Sequence, residues 1–234
     1  MHENDIKYIP WKESVYSMNK YLTSGKLTVL IVLLILIIDQ IIKIMVKTNM
    51  ALGDSIQITN WFYIRFIENN GMAYGMTFIN KLVLSLFRII AICAIIYYIC
   101  KLIKRPHPKG YIVCLAMILA GAMGNIIDSM FYGLIFTDST PYSIAQFVPF
   151  ASGYSTFLHG KVVDMFYFPL IETTWPTWIP YYGGHPFVFF SPIFNFADSC
   201  ISVGVVLLLI FYRKQLETIK KTVKDNNPKI DTDE

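Results

Sequence analysis

Long apolar runs, broken by shorter polar stretches, dominate the pattern of this chain. Four runs fall over residues 27–46, 82–100, 111–135 and 193–212, the third richer in Gly and Ala than the others. A helix needs about 20 apolar residues to cross about 30 Å of hydrocarbon, and an open sheet edge cannot satisfy its backbone groups in lipid. The pattern therefore predicts four transmembrane helices within one domain, 1–234. Outer segments are expected over 47–81 and 136–192, and a polar tail, 213–234, follows the last run. In the first outer segment Ser55-Ile-Gln-Ile-Thr and Trp61-Phe-Tyr-Ile-Arg-Phe-Ile alternate as strands of a small sheet do. The expected fold class is an all-α polytopic membrane protein with a small outer sheet and long outer loops.

Composition strengthens the reading and charge orients it. A soluble domain holds about 45–50% apolar and about 25% charged residues, whereas this chain of 234 residues holds 55% and 15%. A disordered chain, a secreted disulfide scaffold and an ordinary cytosolic enzyme are excluded. Lys7, Lys12, Lys20 and Lys26 precede the first run, and Lys101, Lys104, Arg105 and Lys109 join the second to the third. Arg213, Lys214, Lys220, Lys221, Lys224 and Lys229 follow the fourth, while only Lys47, Arg65, Lys81 and Lys161 lie in the other two links. The positive-inside rule then places both termini in the cytoplasm. The formal charge of +4 records topology, and nucleic-acid binding gains no support from it. The first run starts late and is too long for the core of a cleaved signal peptide. Cys93, Cys100, Cys114 and Cys200 all fall in runs, as small apolar packing residues do.

Polar residues inside the runs need a reason, because a charge at the centre of a membrane helix costs about 2.5–3.5 kcal/mol on insertion scales. Asp39 and Lys43 stand four apart in the outer half of the first run, acid before base. They suit a mutually neutralising pair that pins the helix as well as they suit catalysis. In the third run Ala116, Ala120, Gly124 and Asp128 recur every four residues, with Asn125 beside the last. Small residues so spaced admit a second helix closely, but packing does not account for Asn and Asp at the end of the stripe. The fourth run opens with Asn195, Asp198, Ser199 and Ser202 on one helical face, expected to point into the bundle or a water pocket. Just ahead of it, the β-branched stretch HGKVVDMF carries Asp164 to the same outer level.

Two carboxylates, Asp164 and Asp198, are thus expected to meet at the outer rim. No HExxH helix, GxSxG elbow, Walker A loop or GxGxxG loop occurs, and carboxylate chemistry remains. Two close aspartates share a proton, because both cannot ionise cheaply. The ionised member takes a proton from water as the water attacks a peptide carbonyl, and the protonated member donates to the carbonyl oxygen. Such a site is expected to need no metal and no cofactor. One rival is a proton- or ion-coupled transporter relaying through Asp39, Asp128 and Asp198. Against it, the polar groups occupy only the outer level and no acidic path reaches the cytoplasm. A non-catalytic membrane subunit is a further rival, but Asp164 lies outside the runs, where helix packing gives it no purpose.

The ordered set of motifs resembles the lipoprotein signal peptidases, or signal peptidase II. Asp39-Gln40-Ile-Ile-Lys43, Asn69-Asn70-Gly71-Met72-Ala73-Tyr74, Gly124-Asn125-Ile-Ile-Asp128, Val162-Val163-Asp164-Met165 and Phe194-Asn195-Phe196-Ala197-Asp198-Ser199 follow the family's order. The resemblance implies a four-helix enzyme of the bacterial cytoplasmic (inner) membrane with a small extracytoplasmic β-cradle and an outward-facing site. Its partners would be membrane lipids and diacylglyceryl-modified prolipoproteins, cut just before the lipidated cysteine. By position Asp164 and Asp198 match the catalytic dyad. Asn69, Gly71, Asn125, Asp128, Asn195 and Ala197 match the surrounding residues that bind or support, and Asp39 and Lys43 the first-helix motif.

Two departures stand out. Ser129 follows Asp128 where the family usually has Arg, which puts a pairing of Asp128 with a neighbouring Arg in question. The stretches 133–160 and 166–193 are longer than usual and are expected to form a lid or a partner-binding rim. Trp175, Trp178, Tyr181 and Tyr182 in the second stretch suit either an interfacial aromatic belt or substrate contact.

Overall fold

A computed structural model of the chain describes residues 23–69 and 81–215. Among these residues three helices are long and apolar enough to cross a membrane: Ser24–Asn49 (α1), Lys81–Leu102 (α2), and Lys109–Ile127 (α3) with its continuation to Ile135. Phe196–Phe211 (α4) is apolar but only 16 residues long. The helical core is multi-pass, as expected. The expected small sheet accompanies it, and the strands are more numerous than the all-α class implies, six among the described residues: Ser55–Thr59 (β1), Phe62–Asn69 (β2), Val162–Tyr167 (β3), Ile171–Thr174 (β4), Pro186–Phe189 (β5) and Ile193–Phe194 (β6).

Helix α1 shows how sequence selects faces. Val29, Leu33, Ile37, Ile41 and Met45 form an exposed stripe suited to lipid, while Thr28, Val32, Ile35, Asp39, Lys43, Val46 and Lys47 are buried. Apolar side chains thus face outward and ionised ones inward, the reverse of a soluble helix. Lys47 corrects its placement in an outer link, since it lies in the last turn of α1 and is fully buried.

Small residues bring α3 and α4 together. A methyl group on Gly121 would strike the carbonyl of Ala197, and one on Gly124 would lie 2.6 Å from Asp39 Oδ2 and 3.2 Å from Ala197 Cβ. The stripe read from sequence thus packs two neighbours at once, α4 and the polar face of α1.

Helix α4 begins later than the apolar run suggests. Ile193 and Phe194 are apolar because they pair with Tyr167 and Phe166 across β6 and β3. Asn195 then caps the helix, its Oδ1 accepting from Asp198 N at 2.9 Å while Asp198 Oδ2 accepts from Asn195 N at 3.3 Å. This reciprocal capping box satisfies two otherwise orphaned N–H groups. Ser199 Oγ donates back to Asn195 O at 3.0 Å. Ser202, expected to face the bundle, is exposed on the helix surface.

The antiparallel sheet runs in the order β1-β2-β3-β6, with Asn69 opposite Val162 and Ile67 opposite Asp164. Asp164 therefore stands in a strand that the apolar runs did not predict. Val46, Met50, Phe66, Tyr132, Phe136, Val163 and Met165 join this sheet to α1 in a second apolar core. After α3 the chain widens into one π-helical turn, Asp128–Tyr132, which buries Asp128, Ser129 and Tyr132 together. The turn frees the Ser129 carbonyl to accept from Gly160 N at 2.9 Å. A side chain at Gly160 would strike the Asp128 carbonyl and the Gly133 N–H, so the chain can double back there only as glycine.

The two long stretches take different forms. Residues 133–160 are tied down along their length: Leu52 N donates to Thr140 O at 3.1 Å, Ser155 N to Gly133 O at 2.8 Å, and Ser85 Oγ of α2 to Leu158 O at 3.1 Å. They form a packed buttress beside the sheet. Between β3 and β6, β4 and β5 make a separate hairpin. Trp175 packs inside it on Phe187 and Tyr182, while Trp178, Tyr181 and Tyr182 are exposed at its tip.

Candidate active site

The C-terminal ends of α1 and α3 and the N-terminal end of α4 converge with β2 and β3 on one polar cluster. At its base Lys43 makes three contacts, to Asp128 Oδ2 at 2.8 Å, Asp39 Oδ2 at 3.0 Å and Asn125 Oδ1 at 3.0 Å. An ammonium carries three N–H donors, so this set satisfies it in full. All three charged groups are fully buried. A buried ion is tolerated only when paired and hydrogen-bonded, and here one cation serves two anions.

The carboxylates are held on their other edges as well. Asp39 Oδ1 accepts from Ala197 N at 3.0 Å, which pins the start of α4. Gln40 Nε2 donates to Asp128 Oδ1 at 2.9 Å and to Asp39 Oδ2 at 3.1 Å, and its Oε1 accepts from Tyr132 Oη at 3.1 Å. Asp39 and Lys43 are thus more than a neutral pair within one helix, because they tie three helices together. With Ser129 following it, Asp128 takes its positive partner from α1.

From this base two asparagines lead to the aspartates. The Asn125 carbonyl faces Lys43 and also accepts from Asn195 Nδ2 at 3.1 Å, so its amide group turns to Asp198 Oδ1 at 2.7 Å. The second N–H of Asn195 Nδ2 donates to Asp164 Oδ1 at 2.6 Å, and Asn69 Nδ2 donates to Asp164 Oδ2 at 3.3 Å. An ammonium can only donate, so Lys43 fixes which end of Asn125 points where. Asp164 is 2% exposed and Asp198 partly exposed. Burial first, and then the charge of Asp198, push the Asp164 carboxyl up to about 7, against the smaller opposing effect of the Asn195 and Asn69 donors.

Asp164, Asp198, Asn69, Asn125 and Asn195 lie in one hydrogen-bonded cluster, with Asp39, Lys43, Asp128 and Ala197 beneath them. Gly71 lies outside the described residues. Sequence reasoning passed over Arg88 of α2, whose guanidinium interacts electrostatically with Asp198, Asp128 and Asp164. A lone Arg inside an apolar run was itself the available signal. It also passed over Gln40 as a link between the two buried acids, and over Glu68 next to Asn69.

The helices, the small sheet and this polar cluster define a membrane-embedded enzyme. The signal peptidase (SPase) II profile matches residues 31–213. The chain belongs to that family of membrane peptidases. The lipoprotein signal peptidase of Porphyromonas gingivalis is 51% identical over 208 residues, which cover 87% of this chain and 92% of that protein. The one from Amoebophilus asiaticus is 37% identical over 194 residues, 80% of this chain and 78% of that one. A solved bacterial membrane enzyme structure at 27% identity superposes with a TM-score of 0.52 over 78% of this chain and 90% of its own. Another, at 24% identity, shares the fold with a TM-score of 0.53 over 88% and 93%.

Proposed function

We propose that this protein removes signal peptides from diacylglyceryl-modified prolipoproteins, cutting before the lipidated cysteine with Asp164 and Asp198 as a catalytic dyad. The observation that carries the reading is the Asn195–Asn125 bridge, which joins both aspartates through one pair of amides. Asp164, pushed up to about 7, holds the shared proton near neutral pH. Asp198, receiving hydrogen bonds from Asn125 Nδ2 and its own cap, acts as the base.

Asp198 takes a proton from water as the water oxygen attacks the scissile carbonyl carbon. Asp164 gives its proton to the carbonyl oxygen, producing a neutral tetrahedral diol. Collapse of the diol breaks the C–N bond, the proton held by Asp198 passes to the leaving amine of the cysteine, and a diol hydroxyl returns its proton to Asp164. Asn69, Asn125 and Asn195 keep the carboxylates in register, and preorganised donors of this kind cost no rearrangement during reaction. The diacylglyceryl group anchors the scissile bond at membrane depth, where the dyad lies. In this reading four helices span the bacterial cytoplasmic membrane, both termini are cytoplasmic and the site opens on the outer face. No metal or cofactor enters any step.

The test is cleavage of a diacylglyceryl-modified prolipoprotein by the purified protein in detergent, compared with Asp164→Asn and Asp198→Asn at equal folded concentration. Cleavage before the modified cysteine by the parent, lost by at least about 10³-fold in both variants, supports the dyad. A variant that keeps near-parent rate removes its residue from the dyad, and several such substrates left intact by folded parent overturn the reading.

A further inference from the structure

A second buried charge cluster lies one turn beyond Lys43 on α1. Lys47 is 0% exposed, and its Nζ pairs with Glu68 Oε1 and donates to Ser139 Oγ at 2.9 Å. Ser139 Oγ in turn donates to the same Glu68 oxygen at 2.9 Å, and the Glu68 side chain is 2% exposed. Glu68 Oε2 faces Lys161 Nζ at 3.0 Å, and Lys161 reaches Asp138 Oδ1 at 2.7 Å. The ring of Tyr154 lies 5.1 Å from both ammonium groups.

Burying such a set is unfavourable unless every member is paired, and a well-packed apolar set of similar volume is often at least as stable. Helix packing alone therefore gives these charges no purpose. Their location gives one. Glu68 and Asn69 are the last residues of β2, opposite Val163 and Val162 at the start of β3. The ladder between these strands is irregular between Ile64 and Ile67, and only the three pairs Ile67–Asp164, Glu68–Val163 and Asn69–Val162 follow it before β2 ends. Asn69 must nevertheless keep its amide on Asp164 Oδ2, at a distance of 3.3 Å that leaves little slack. Glu68 binds the end of α1, the 133–160 buttress through Ser139, and Lys161 at the threshold of β3.

We propose that Glu68 is a positioning residue, clamped by Lys47, Ser139 and Lys161 so that the neighbouring Asn69 stays on Asp164. The inference rests on the dyad reading above and assigns the buttress a role in the site: it carries Ser139 and Asp138 into the clamp. Substrate need not touch Glu68, which acts through Asn69.

The test is a double-mutant cycle between Glu68 and Asn69, read as kcat and KM on the lipidated prolipoprotein in detergent and normalised to folded enzyme. Glu68→Gln is expected to lower kcat about tenfold with KM within about twofold, since small misplacements of reacting groups act on the chemical step. In an Asn69→Ala background the same change is expected to cost less than about twofold, because the positioned group is gone. Asn69→Ser serves as background if Asn69→Ala falls below detection. Ser139→Ala, which keeps the charges paired, should give the same pattern at smaller amplitude and stands in if Glu68→Gln does not fold. Losses that multiply in full across both backgrounds, or an unchanged kcat, overturn the proposal. Parent and Asp164→Asn are run in the same series, so failure of the dyad appears there and is separable from failure of the coupling.

Discussion

Lys43 and Lys47 sit four residues apart on the same face of α1, both fully buried, and they serve different parts of the molecule. Lys43 binds only groups from helices, Asp39, Asp128 and Asn125. Lys47 binds groups from outside the long helices, Glu68 of β2 and Ser139 of the buttress. Lys43 sits in direct contact with two buried acids at once, whereas Lys47 contacts one, Glu68, which Lys161 also faces. Helix α1 is thus a common rod: one turn fixes the helices under Asp164 and Asp198, and the next fixes the sheet beside them.

The comparison can be broken most severely at Lys43. Lys43→Met leaves Asp39 and Asp128 buried without the ammonium in contact with both, at an expected cost of about 3–5 kcal/mol, and thermal unfolding in detergent should show loss of most folded protein. Lys47→Met should cost less, about 1–3 kcal/mol, because Lys161 still faces Glu68. The two sites are distinguished further by Lys47→Met combined with Glu68→Leu, expected to unfold near the parent temperature since both charges leave together. Equal losses at Lys43 and Lys47 would erase the distinction.

Proton affinity sharpens the picture at the dyad. Asp164 holds its proton more tightly in the folded protein, to about 7, than the ordinary carboxylate range near 4 in an unfolded chain. The favourable contribution to folding is complete below about pH 4 and is lost as pH rises through about 7. Under the proposed mechanism cleavage should fall over the same alkaline limb, because Asp164 has then lost the proton it would donate. The Asn69 donor opposes the upward shift, so Asn69→Ala should move the limb to higher pH in a kcat–pH profile. The smallest effect is expected at Ser202, exposed on α4: Ser202→Ala should change stability by less than about 0.5 kcal/mol and leave cleavage unaltered.

Most of the site was legible because membrane solvent makes polar residues conspicuous. Asp39, Lys43, Asn125, Asp128, Asn195 and Asp198 stood out against apolar runs, and the four-residue steps put Asp39 with Lys43 and Gly124 with Asp128 on buried faces. Asp164 could be assigned to the outer level, but not to a strand beside α4, because Val162 and Val163 resemble any short apolar stretch. Ile193 and Phe194 were absorbed into the fourth run for the same reason: apolarity does not distinguish a sheet-pairing dipeptide from the first turn of a helix. Lys47 was illegible because a lysine just past an apolar run ordinarily lies in water. Its partners Glu68 and Ser139 stand 21 and 92 residues away, and no local spacing marks them.

Both long stretches are pinched shut where they leave the framework. Gly133 and Gly160 meet at the base of one, where a methyl on the first would lie 3.3 Å from the Cα of the second. Tyr167 and Ile193 pair across the base of the other. Once its ends are tied, a loop grows cheaply, each doubling adding only about 0.6 kcal/mol of closure entropy. Such a framework can exchange or enlarge these appendages over evolutionary time while the spacing of its two aspartates stays constant. The aromatic hairpin between them is therefore a natural graft point, where a lineage can refit the surface beside the sheet without moving either aspartate.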